Sequence, residues 1–114
     1  MKYMLLINQP DDPETWSKLS EEEQKQVAAD YQAINQTSGV TPGERLQPPE
    51  AATTVRVQDE KTLTTDGPLV SVKEALGGWL FYEADDLDAA IELASRIPAA
   101  RMGGAVEIRP FAGS

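Results

Sequence analysis

Apolar and polar positions follow one another in this chain with periods that name most of its elements. Tyr3-Met4-Leu5-Leu6-Ile7 is an apolar run of strand length. Tyr3, Leu5 and Ile7 fall on one face and Met4 and Leu6 on the other, the pattern of a strand covered on both sides. A loop rich in Asp and Pro follows from Pro10 to Trp16. The spacing then predicts a helix beginning at Ser20, where Ser20 and Glu23 form a capping box and Glu21 and Glu22 suit the positive end of the helix dipole. Val27, Tyr31 and Ile34 recur at i, i+4 and i+7 as a narrow apolar stripe, and Gly39 is the expected terminator.

Val40 to Gln47 reads as extended, with Gly43 as a bulge and Pro48-Pro49 as its close. Ala52 to Gln58 alternates Thr53, Val55, Val57 against Thr54, Arg56, Gln58. A turn at Asp59-Glu60-Lys61 and a return from Thr62 to Thr65 make a hairpin, so Asp66 lies where that hairpin ends. Val70 to Ala75 is a connector. Leu76 to Tyr82 is the next strand, again apolar on both faces: Leu76, Leu80 and Tyr82 against Trp79 and Phe81. Gly77 and Gly78 mark a bulge or a close backbone approach inside it. Asp85-Asp86 cap a second helix with an apolar stripe of Leu87, Ala90, Ile91, Ala94 and Ile97, ended by Pro98. Ala105 to Pro110 is the last strand, with Val106 and Ile108 on one face and Glu107 and Arg109 on the other.

The order is β-α-β, a hairpin, then β-α-β. It predicts an α+β fold of the ferredoxin-like split βαβ kind with an inserted β-hairpin, in a single domain spanning residues 1–114. Two helices cover only one face of a four-stranded sheet. The strands at Tyr3 and Leu76 are nevertheless apolar on both, so the second face needs a cover. A second copy of the chain is the simplest, since most soluble oligomers are symmetric homo-oligomers; the hairpin folding over that face is the alternative.

Charge and missing residue types narrow the chemistry. The net charge is -9, from 19 acidic and 10 basic residues, and such a surface repels phosphate backbones, which argues against nucleic acid as a partner. The chain has no cysteine and no histidine. Thiolate catalysis and every Ser–His or Cys–His scheme are thereby excluded, and acid–base work falls to Asp, Glu, Lys or Tyr. No stretch is long and apolar enough to serve as a signal peptide or to cross a bilayer, so the expectation is no membrane partner and a cytoplasmic location. Nothing in the residues identifies a cofactor. The acidic runs Glu21-Glu22-Glu23 and Asp85-Asp86-x-Asp88 are explained as helix starts, and no metal site is expected.

The candidate catalytic residue is Asp66, in Thr65-Asp66-Gly67-Pro68-Leu69. Gly67 permits backbone angles closed to other residues, and Pro68 fixes its own φ. Together they hold one carboxylate at the end of an extended segment. The plain reading is an Asx-turn; the functional one is an acid or base partly sheltered from water. Candidate ligand-binding residues are Arg45, a clamp for an anionic substrate, with Glu44, Lys73, Tyr31 and Trp79. The plain readings for these are surface ion pairs and core aromatics.

Met1-Lys2-Tyr3-Met4-Leu5-Leu6-Ile7, Leu46-Gln47-Pro48, Ala52-Thr53-Thr54-Val55-Arg56, Thr65-Asp66-Gly67-Pro68, Lys73-Glu74-x-Leu76-Gly77-Gly78 and Val106-Glu107-Ile108-Arg109-Pro110 occur in this order. The combination resembles the YCII-related proteins of the DGPF type across nearly the whole chain. The resemblance implies a dimeric α+β barrel with a ferredoxin-like protomer and a cleft near the DGPF segment, where the Asp is suspected of catalysis. It also hints at a stress-response or regulatory role beside extracytoplasmic-function sigma factors. Two departures stand out: Leu69 replaces the motif's Phe, and the His–Asp pair associated with shorter relatives has no His here. Only the aspartate carries over, at Asp66. The expectation is a homodimer with a small-molecule pocket near Asp66 and acid–base or hydrolytic chemistry. The alternatives are a non-catalytic ligand-binding or regulatory module and an interaction scaffold without a pocket.

Overall fold

The computed structural model describes residues 1–10, 12, 14–68 and 74–113. The chain runs β1 (Lys2–Pro10), α1 (Glu21–Asn35), β2 (Val40–Pro42), a turn of 3-10 helix (Pro49–Ala51), β3 (Thr53–Gln58), β4 (Lys61–Asp66), β5 (Glu74–Glu83), α2 (Leu87–Ser95), α3 (Pro98–Arg101) and β6 (Ala105–Pro110). Four strands form one sheet in the order β2-β5-β1-β6, and β3 and β4 form a separate hairpin. Every neighbouring pair is antiparallel. The architecture is α+β. Lys73, Leu69 and most of the Val70–Ala75 connector lie outside the described residues.

The capping box at Ser20 is complete: the Ser20 hydroxyl accepts from the Glu23 N–H at 3.1 Å, and the Glu23 carboxylate accepts from the Ser20 N–H at 3.0 Å. That contact holds the Glu23 carboxyl below the usual carboxylate range. Val27 and Ile34 are buried and Tyr31 packs half-buried beside them, as the spacing predicts. The helix stops at Asn35, and Gly39 turns the chain into β2 at φ +90°.

Tyr3, Leu5 and Ile7 of β1 meet Leu80 of β5 beneath Ile34, Ala90, Leu93, Ala94 and Ile97 of the helical layer, and these residues are the core. Met4 and Leu6 project from the opposite face. The two-faced pattern in β1 is therefore literal: one set sits under the helices and the other has no helix over it. Alternation does not carry unbroken through β5. Ile7 lies opposite Gly78 but Asn8 lies opposite Leu76, so Gly77 is an extra residue. A single inserted residue reverses the parity of everything before it. Leu76 thus shares the helix-free face with Trp79 and Phe81 and not, as simple alternation predicts, the face of Leu80 and Tyr82.

Four other expectations change. The strand after Gly39 ends at Pro42, because beyond it only the Gly43 N–H and Leu46 N–H still bond to β5, at the carbonyls of Trp79 and Gly77. A Cβ at Gly43 would come within 2.3 Å of the Trp79 carbonyl and 2.4 Å of its indole, so Gly43 is a close approach. In α2 the buried stripe is Ala90, Leu93 and Ala94, while Leu87 and Ile91 are each 50% exposed. Pro98 does not merely end that helix; it opens α3 as its first residue, where a missing N–H costs nothing.

The hairpin forms its own sheet and packs chiefly on itself, with Val55 and Val57 exposed, so among the described residues it does not fold over the four-stranded sheet and that alternative is set aside. Its two-residue turn holds Asp59 at φ 50° and Glu60 at φ 64°, both left-handed, as a type I′ connection requires. Asp tolerates this region better than Glu. Glu60→Gly is expected to stabilise the hairpin by about 1 kcal/mol, the usual scale of the left-handed penalty. Slower amide exchange within 53–66 checks it.

Candidate functional site

The helix-free face of the sheet carries an apolar, aromatic patch. Met4 and Leu6 lie opposite Phe81 and Trp79, and Leu76 extends the patch along β5. The Trp79 and Phe81 rings are 5.1 Å apart, and Phe111 meets Phe81 edge-on at 5.4 Å. The Lys2 ammonium stands 5.2 Å from the Phe81 ring centre and 5.3 Å from that of Phe111, each a cation–π contact. On the β6 side, Arg109 and Glu107 lie opposite Met4 and Leu6 and form an ion pair with each other. The patch is aromatic at its centre and charged along its β6 border.

The candidate residues distribute around this face unevenly. Trp79 lies in it, half-buried. Glu44 and Arg45 belong to the segment whose backbone bonds to the Trp79 and Gly77 carbonyls, so they stand at its β5 border with exposed side chains. Tyr31 is on the other side of the sheet. It packs on the core, and its hydroxyl oxygen accepts from the Gln9 side-chain amide at 3.5 Å. The protomer therefore does not bring Tyr31 to Trp79. Lys73 lies outside the described residues.

Asp66 is the last residue of β4, opposite Thr53, and is exposed. The backbone next to it is firmly placed. Gly67 sits at φ +103°, its N–H donates to the Ala52 carbonyl at 2.7 Å, and its carbonyl accepts from the Thr54 hydroxyl at 2.8 Å. The left-handed φ is what demands glycine, since open space surrounds the position where a Cβ would stand. Among the described residues nothing donates to the Asp66 carboxylate: the Gly67 N–H is spent on Ala52, Pro68 has none, and Leu69 lies outside the described residues.

A cleft on the helical side is not announced by the sequence. Asp30, Ala33, Ile34, Ser95, Arg96 and Arg101 line an open cleft of about 280 Å³ between the helices. Its charges are mutually engaged: Arg101 reaches Asp30 at 2.6 Å and Arg96 reaches Glu92 at 3.0 Å. Asp30 and Arg101 are 71 residues apart, so no local spacing announces the pair. Hydrogen bonds from Gln26 and Arg101 hold the Asp30 carboxyl below the ordinary aspartate value. A depressed carboxylate contributes stability that is present above its unfolded value and is lost as pH falls through its folded value. Asp30→Asn is thus expected to destabilise at neutral pH and to approach the wild type below the aspartate range, as urea unfolding at several pH values would show.

Among the described residues no three Asp or Glu side chains converge as metal ligands. No described helix is long and apolar enough to cross a membrane.

An α+β fold with one sheet face under helices and, among the described residues, an apolar aromatic face left open defines the class of protein. The chain belongs to the YCII-related family: the family model for the YCII-related domain matches residues 1–112. It is also similar to an uncharacterized protein of Rhizobium meliloti (strain 1021). The two are 32% identical over 114 positions, which take in 96% of this chain and 90% of the relative.

Proposed function

We propose that this protein is a homodimer of ferredoxin-like protomers, closed face to face as an α+β barrel of the DGPF type, with a small-molecule pocket near Asp66 in which acid–base or hydrolytic chemistry takes place. The observation that carries this reading is the apolar face of Met4, Leu6, Leu76, Trp79 and Phe81, over which no helix lies. Exposed apolar patches of this kind mark interaction or binding surfaces, and packing two sheets face to face is an ordinary way to cover them. The strand order β2-β5-β1-β6 supports the ferredoxin-like assignment. Trp79 supplies an apolar wall, and Arg45 and Glu44 at its border supply the few polar groups that orient a ligand.

The exposure of Asp66 favours a second reading. A carboxylate open to water suits a non-catalytic ligand-binding or regulatory module, in keeping with the resemblance to proteins found beside stress-response sigma factors. One experiment separates the two. A thermal-shift screen of metabolites on the wild type finds the ligand, since one present at 100 times its Kd stabilises by about 2.7 kcal/mol. Asp66→Asn, which removes no packing, is expected to keep the wild-type melting temperature and the ligand-induced shift while losing turnover. Turnover undiminished in that variant refutes the catalytic role and leaves the regulatory one.

A further inference from the structure

The β3–β4 hairpin has a covered fate written into its pairing. Residues directly opposite each other share a face, so Thr53, Val55, Val57, Thr62, Thr64 and Asp66 form one side. Arg56, Lys61 and Leu63 belong to the other, with no acidic residue among its members. Val55 and Val57 are 59% and 67% exposed. Both valines thus stand on one side of the pair, with Leu63 the one large apolar residue on the other, and among the described residues nothing covers the valine side. An isolated two-stranded hairpin is marginal in water, so the pattern demands a cover. The molecule's dimensions agree: its radius of gyration is 16.1 Å, against about 13 Å for a compact chain of this length.

We infer that the hairpin is an arm that lays its Val55–Val57 side on a second copy of this chain, and that the same contact shelters Asp66. This rests on the dimer reading above and deepens it: the pocket is complete only when the partner arrives. Two features favour a second copy as the occupant. The segment leading into the arm bonds to the Trp79 and Gly77 carbonyls, so the arm leaves from the border of the proposed dimer face and continues it. A two-fold arrangement also lets one partner cover the two apolar surfaces left open among the described residues, the aromatic sheet face and the Val55–Val57 side. The only charge on the apolar side is Asp66 at its root. A cover over Val55 and Val57 lies on the same side of the hairpin as that carboxylate, and one long enough to reach the Thr53–Asp66 pair takes Asp66 partly out of water.

The chain has no cysteine, so a single introduced thiol reports shelter directly. The rate at which Asp66→Cys reacts with a thiol reagent is measured above and below the dissociation concentration set by equilibrium sedimentation. It is expected to fall at least tenfold in the dimer, while Lys61→Cys, on the opposite side of the arm, reacts equally fast in both. Val55→Lys with Val57→Lys, both at exposed positions, is expected to weaken the dimer at least tenfold and restore fast labelling at residue 66. A complete wild-type dimer in which Asp66→Cys labels as fast as in the monomer, or a double lysine variant that dimerises as tightly as the wild type, overturns the arm and leaves the dimer standing. A wild type that is monomeric at every concentration overturns the dimer, and the arm with it.

Discussion

Leu5→Ala is expected to lower the stability of the protein by about 2–5 kcal/mol, the range for truncating a large aliphatic side chain in a closed core. Leu5 has no exposed surface. It lies in the central part of the sheet, opposite Leu80 on β5 and Ile108 on β6, and belongs to the cluster that includes Ile34, Leu93 and Ile97. A cavity there has strands on two sides and helices above, so little can relax into it. Against a total of roughly 5–15 kcal/mol for a folded domain, the loss is a large share. Urea unfolding at matched protein concentration measures it. A midpoint within error of the wild type would mean that the helical layer does not rest on Leu5.

How far such arguments could be made from sequence varies by element. The capping box at Ser20 and Glu23 was legible because its partners are three residues apart and its chemistry is local. The two-faced character of β1 was legible because period-two alternation survives wherever a strand is regular. Leu76 was misplaced because the bulge at Gly77 is set by pairing with β1, and the glycines announced an irregularity without saying which of them would be extra. In α2, Leu87 and Ile91 are as apolar as Leu93, and all three suit a helical period. Only the angle at which the helix docks decides that Leu93 goes inside. For the site, Asp66 was correctly placed at the hairpin's end, and Gly67 takes the left-handed φ its type suggested. The separation of Tyr31 from Trp79 was not drawn, although its signal is in the sequence. Tyr31 shares its stripe with Val27 and Ile34, which marks the helix side of the sheet. The cleft between Asp30 and Arg101 was not legible, because it depends on how helices distant in sequence lie together.

Leu6, the neighbour of Leu5, is where the opposite consequence is expected. Leu6→Glu should leave the chain folded and dissociate the proposed dimer. The side chain faces away from the core, between Trp79 on one side and Glu107 on the other, so a glutamate there takes nothing from the packing under the helices. In a face-to-face dimer, however, it would be buried among aromatic rings with a like charge as its cross-strand neighbour. An uncompensated buried charge costs about 3–5 kcal/mol, which corresponds to a weakening of roughly two to three and a half orders of magnitude in Kd. The nearest cation on that border, Arg109, is already paired with Glu107, so relief from it comes only at the expense of that pair. Equilibrium sedimentation supplies the mass and far-ultraviolet circular dichroism the fold. Leu6→Gln, which adds polarity without charge, should fall between the variant and the wild type. A Leu6→Glu protein that remains as tightly dimeric as the wild type would show that the aromatic face lies outside the interface, and some other surface would then have to cover it.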